Sequence, residues 1–193
     1  PTRRSSDLML YPSGRVPGHP FAQSDCKYSK FVYSSRFGFC VSRSQRTLEE
    51  AAPDSMLAFV VGGRVYVRDG VAESAVAEDA VVSRWSPCVG IEVETRIEPC
   101  VGGHMRTHRV ASEIACEAYD CGFAVPGDYH RVDLVDASRL CRVESVGAVP
   151  GKGVLIKNEA NTNISCGKTV IPAVRYIIEV GTAMLVTRIE TGE

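Results

Sequence analysis

The stretch IEVETRIEPCVGGHMRTHRVA, residues 91–111, decides how this chain folds. Its first seven residues alternate without a break, with Ile91, Val93, Thr95 and Ile97 on one side of an extended chain and Glu92, Glu94 and Arg96 on the other. A period of two marks a strand with one buried and one wetted face. A turn signal over residues 99–103 follows, and residues 104–111 return as an antiparallel partner. In that pairing Glu92 and Glu94 are expected to sit across from Arg106 and His108 as ordinary cross-strand charge pairs.

Working outward, short apolar runs recur with turn signals between them, and helical periodicity is nearly absent. Strands are expected at residues 31–34, 37–42, 56–61, 64–68, 80–85, 114–125, 132–135, 140–146, 154–156, 174–178 and 183–189. Gly62-Gly63 suits a two-residue hairpin loop. Residues 47–52 fit one or two helical turns, with Thr47 as N-cap, Glu50 completing a capping box and Pro53 as the stop. The predicted fold is all-β, an antiparallel β-sandwich with at most one or two short helical turns. Residues 9–27, containing YPSGRVPGHP, read as a linker or loop, and residues 28–193 as the sandwich domain.

With 193 residues the chain is one domain that buries roughly 70% of its unfolded surface. Lys and Arg number 22 against 23 Asp and Glu, with no basic stripe, so nucleic acid is not an expected partner. No apolar run reaches the ~18 residues that span a bilayer, and no membrane partner is expected. Cys26, Cys40, Cys88, Cys100, Cys116, Cys121, Cys141 and Cys166 are irregularly spaced and include no C-x-x-C pair. Four disulfides would allow on the order of a hundred pairings. The simpler reading is free thiols acting as small hydrophobes, which favours a reducing compartment such as the cytoplasm.

Candidate chemistry is sparse. Cys100, His104 and His108 form C-x3-H-x3-H, but two histidines four apart on a strand lie roughly 13 Å apart. A single ion needs both ligands at ~2 Å, so no metal site is expected. Glu92 with Glu94, or Asp133 with Asp136, has the composition of a glycosidase acid pair. The first pair belongs to a solvated strand face, which would not raise a carboxyl pKa. GAVPGKG, residues 147–153, lacks phosphate-loop spacing and reads as a flexible hairpin loop. NEANTN, residues 158–163, either ties down an irregular loop through Asx turns or presents amides to hydroxyl groups. No cofactor fingerprint occurs, and none is expected.

The densest aromatic segment is residues 28–56, where Phe31, Tyr33, Phe37 and Phe39 crowd a Ser-Ser-Arg tripeptide. Aromatics of this kind either weld a sheet to a neighbouring domain or stack on flat sugar faces.

Several segments, taken in order, resemble the C-terminal part of the family catalogued as domain of unknown function 2264. They are KFVYSSRFGFCVSRS (30–44), APDSMLA (52–58), SRWSP (83–87), GIEVET (90–95), HMRTHRV (104–110), NTN (161–163) and TVIP (169–172). Each is weak alone; their order over most of residues 28–190 makes the resemblance specific. Cys40 stands where the family pattern has Ser, and Cys166 interrupts an apolar stretch. Residues 1–8, PTRRSSDL, resemble one translated frame of a sequencing adapter and are set aside as a non-native tail.

The resemblance implies a two-domain carbohydrate-active protein, an α/α toroid followed by a super-sandwich-like β-domain, laid out like the heparinase-like polysaccharide lyases. Through its link to glycoside hydrolase family 154 it implies β-glucuronidase chemistry on uronic-acid glycans. This chain would supply only the second domain, partnered by a missing N-terminal toroid, with no catalytic residues of its own. Lys30, Tyr33, Ser35 and Arg36 would line the cleft between domains, with Arg36 or Lys30 pairing a uronate carboxylate. The bland alternative places those four on a polar strand edge or interdomain seam. Two other functions compete: a structural or carbohydrate-binding module with no enzymatic role, and a β-domain enzyme using Tyr33 or His104.

Overall fold

The computed structural model describes residues 8–11, 31–34, 38–41, 47–51, 53, 55–67, 73–77, 80–157 and 168–191. Among them a small antiparallel sheet runs in the order β1 (Leu8–Tyr11), β2 (Phe31–Ser34), β3 (Gly38–Val41). The helical turn α1 (Leu48–Ala51) follows, closed by the Ala51 amide donating to the Thr47 carbonyl at 2.9 Å. Next come β4 (Leu57–Val61), β5 (Arg64–Tyr66), β6 (Glu73–Ala77), β7 (Ala80–Cys88), β8 (Ile91–Cys100), β9 (Gly103–Ser112), β10 (Cys116–Cys121) and β11 (Val125–Pro126). The second helix, α2 (Leu134–Ser138), precedes β12 (Cys141–Ser145), β13 (Lys152–Lys157), β14 (Thr169–Ile178) and β15 (Gly181–Thr191).

Two six-stranded antiparallel sheets make the sandwich among these residues. One has the order β11-β14-β10-β4-β5 with β13 also paired to β14, and the other β12-β15-β9-β8-β7-β6. The main core between them unites Leu57, Phe59, Ala118, Val174, Tyr176 and Ile178 with Ile91, Val93, Val110 and Leu185. Beyond the first sheet, Leu48 and Ala51 of α1 cover further apolar residues that include Ala58, Val65, Ile171 and Ala173. That sheet is therefore apolar on both faces along much of its length. No helix among the described residues is long and apolar enough to cross a membrane.

The expected alternation of residues 91–97 is present, with Ile91, Val93 and Thr95 buried and Glu92 exposed. Gly62 and Gly63 both take positive φ, 55° and 76°, as a primed hairpin turn between β4 and β5 requires.

Other expectations need correction. Residues 132–135 do not form a strand, because the Asp133 side chain accepts from the Asp136 amide at 2.9 Å and starts α2 instead. The strand expected at 114–125 is two pieces, broken where a Cβ on Gly122 would fall 2.5 Å from Val143. GAVPGKG is not a hairpin loop, since β12 pairs with β15 and β13 with β14, so the segment crosses from one sheet to the other. Its Gly151 packs so closely that a Cβ would lie 2.2 Å from Val174. Strands β1 and β6 had no counterpart in the sequence reading; β1 sits at the edge of the segment read as linker.

Candidate functional site

The interior of the sandwich holds an ionic network that includes Arg106 and His108, two residues expected on the wetted face of their strand. On β9 the side chains of His104, Arg106 and His108 all point inward, each nearly or wholly buried. The cause is parity: Val110 and Ser112 of the same strand are buried too, so every even position from 104 to 112 faces the core. The expected pairing of Glu92 and Glu94 with Arg106 and His108 is therefore wrong. Glu92 stands opposite Ala111 and Glu94 opposite Arg109 on the outer face, where Glu94 binds Arg84 at 2.7 Å.

Arg106 is the hub. Its Nη1 donates to Asp120 Oδ1 on β10 and to the Cys121 carbonyl, both at 2.9 Å. Its Nη2 donates to Ser55 Oγ at 2.5 Å, and its Nε to His104 Nε2 at 3.0 Å. Because His104 Nε2 accepts, that ring carries its proton on Nδ1 and is neutral. The second Asp120 oxygen accepts from His108 Nε2 at 3.0 Å, and Thr95 Oγ1 lies 2.9 Å from His108 Nδ1. Thr95 in turn accepts from the Trp85 indole at 3.2 Å. Thr187 also bonds to Asp120 and meets the Tyr176 hydroxyl at 2.9 Å.

Burial alone would raise the Asp120 carboxyl. The charges of His108 and Arg106, with hydrogen bonds from His108 and Thr187, overcome it and hold the group well below the usual carboxylate range. Ser55 is the one non-glycine with positive φ among the described residues, at 52°, and it is fully buried. Its amide donates to the Gly122 carbonyl at 2.8 Å, which ties the loop before β4 to the end of β10.

This arrangement is not a nucleophilic triad. Ser55 gives its hydroxyl oxygen to a guanidinium, which cannot act as a base. Among the described residues no three His, Cys, Asp or Glu side chains converge as metal ligands. What the network does is join both sheets and the α1–β4 loop through one ion pair whose hydrogen bonds are met. Sequence reasoning found His104 and His108 as a pair sharing a strand face but missed Arg106 and Asp120 as their partners. The signal was the shared parity of residues 104, 106 and 108 with Val110.

Of the residues expected to line a cleft, Tyr33 lies on β2, opposite Met9 of β1 and Phe39 of β3. Lys30, Ser35 and Arg36 fall outside the described residues, as do residues 158–163. Asp133 and Asp136 are not an acid pair but a helix start, Asp136 also pairing with Arg139 at 3.5 Å.

The family model described as the DUF2264 C-terminal domain matches residues 2–135, more than two thirds of the chain. The chain belongs to that family. Two network residues, Arg106 and Asp120, and the Ser55 loop lie inside the matched span of this DUF2264 domain. No curated protein matches it in sequence.

In fold, the DUF2264 domain is similar to part of the heparan sulfate lyase HepC of Pedobacter heparinus, with a TM-score of 0.53 at 11% identity over 85% of this chain and 30% of that one. It is also similar to part of the 4-alpha-glucanotransferase of Thermococcus litoralis, with a TM-score of 0.51 at 15% identity over 71% of this chain and 27% of that one. The chain thus spans under a third of either structure. At identities this low the likeness is one of fold alone.

Proposed function

We propose that this DUF2264 domain is the C-terminal β-domain of a carbohydrate-active enzyme and is not catalytic alone. The observation that carries the reading is the fold likeness to one portion of a larger heparan sulfate lyase, joined to a family match that itself names a C-terminal domain. The network around Arg106 supports it, because its groups are engaged inside the sandwich and offer no base to a substrate. The substrate class proposed is a uronic-acid-containing glycan, hydrolysed in the manner of a β-glucuronidase by the parent protein with its N-terminal α/α toroid. Lys30, Tyr33, Ser35 and Arg36 face the sugar in this proposal, Arg36 or Lys30 pairing the uronate carboxylate.

The test compares this chain with the full-length parent on aryl glucuronides and unsaturated uronic-acid oligosaccharides. Turnover is expected from the parent alone, and robust turnover by this chain would refute the proposal. In the parent, Arg36→Ala is expected to raise KM for glucuronides while sparing neutral glucosides. A parent that binds such glycans by calorimetry and turns over none of them would point instead to a binding module.

A further inference from the structure

We propose that Cys88 and Cys116 form a disulfide under oxidising conditions, stapling the two sheets of the sandwich together at one end. The inference is independent of the carbohydrate reading and rests on where the fold places two thiols of different strands.

Cys88 ends β7 and stands opposite Ile91 across the turn at Val89 and Gly90. Ile91 is fully buried, and cross-strand partners share a face, so Cys88 turns toward the core. The register slips between Trp85 and Cys88, and this slip brings Cys88 onto that face. Cys116 opens β10 on the facing sheet, opposite the buried Ile178, and is itself buried.

Three observations bring the two ends together. Ser112, the β9 partner of Ile91, has its Oγ 4.0 Å from Cys116 Sγ. The Glu113 amide donates to the Gly90 carbonyl at 2.8 Å, clamping the turn after Cys88 onto the turn before Cys116. Phe59, paired with Ala118 of β10, packs edge-on against Trp85 of β7 at 5.9 Å, so these strands face each other across the core. Both cysteines accordingly pack in one apolar cluster. Burial pushes each thiol up, and a charge on Cys88 raises Cys116 further, as expected for near neighbours.

The chemistry is thiol–disulfide exchange with a small disulfide such as oxidised glutathione. Half-buried Cys88 reacts first as its thiolate, forming a mixed disulfide and releasing one glutathione thiol. The Cys116 thiolate then attacks the Cys88 sulfur and expels the second glutathione. One oxidised glutathione becomes two reduced ones, and the protein loses two protons and two electrons. Raised thiol pKa values make both steps slow near neutrality and faster as pH rises into the alkaline range.

The chain would be equilibrated at mildly alkaline pH across a series of oxidised-to-reduced glutathione ratios, then alkylated, digested and mapped by mass spectrometry. The expected result is a cross-linked peptide joining Cys88 to Cys116, with Tm raised by about 5 °C or more in the oxidised protein. Both are expected to be absent from Cys88→Ser, a half-buried position where the reduced variant should fold like its parent, and from Cys116→Ala. Recovery of Cys88 and Cys116 as alkylated thiols, as glutathione adducts or in other pairings throughout the series would overturn the proposal.

Discussion

The two faces of the sheet formed by β7, β8 and β9 carry the same kinds of residue with opposite consequences. Outward, Arg84 with Glu94 and Arg96 with Glu98 form ion pairs that remain substantially exposed to water. Inward, Arg106 meets Asp120 with neither side chain accessible at all. One residue of register separates the two situations. The outer pairs are interchangeable surface charges, whereas the inner pair requires every one of its hydrogen bonds, because water cannot replace a lost partner.

The largest effect should come from breaking the inner pair. Arg106→Met leaves Asp120 buried without its cation and is expected to cost about 3–5 kcal/mol, measured by urea denaturation. A loss near that of a surface variant would erase the distinction between the faces. Replacing Arg106 and Asp120 together by apolar residues of similar volume should be far milder than either single change.

Ser55 sharpens the comparison at the rim of the network. Ser55→Ala removes the acceptor for Arg106 Nη2 and keeps the left-handed backbone, so a loss of about 1–3 kcal/mol is expected. Ser55→Gly loses the same bond but relieves the backbone, and should be less destabilising by about 1 kcal/mol.

Titration separates the regions by pH. The Asp120 pKa is lower folded than unfolded, so its stabilisation is complete above the unfolded carboxylate range and is lost as pH falls toward the folded value. On the far face of the other sheet, burial first and then the hydrogen bond to Glu117 push Tyr119 up to about 12. An acid whose folded pKa is raised keeps its full contribution below the unfolded value, so stability should decline as pH rises from about 10 to about 12. Tyr119→Phe should flatten that alkaline decline while leaving the Asp120 contribution to the acid limb unchanged. The lost hydrogen bond to Glu117 should weaken only that carboxylate's share of the acid limb.

The smallest effect belongs to the outer face. Glu94→Gln is expected to cost about 0.2–1 kcal/mol and to become undetectable near 1 M salt, while the Arg106→Met loss persists there.

Much of the fold was legible because a strand with one wet face writes its period into the sequence. Residues 91–97 carried that signal, and the Gly62-Gly63 turn was legible for a different reason, the positive φ that glycine accepts. The breaks had a different origin. At 132–135 a capping aspartate outweighed local apolar content, and at 147–153 the glycines serve a crossing between sheets that no local pattern encodes. The network was half legible: the histidines at 104 and 108 stood out, but charged residues inside a strand pattern were assigned to water by their type. Asp120 offered no local clue, because Arg106 lies 14 residues away in sequence.

The sequence by itself determined that this chain is an all-β sandwich of the DUF2264 C-terminal family, since alternation and ordered motifs are properties of the chain alone. Only the tertiary structure decided which charges are buried and which thiols become neighbours. Both depend on strand parity relative to a facing sheet, and a single strand cannot specify which of its faces will meet that sheet.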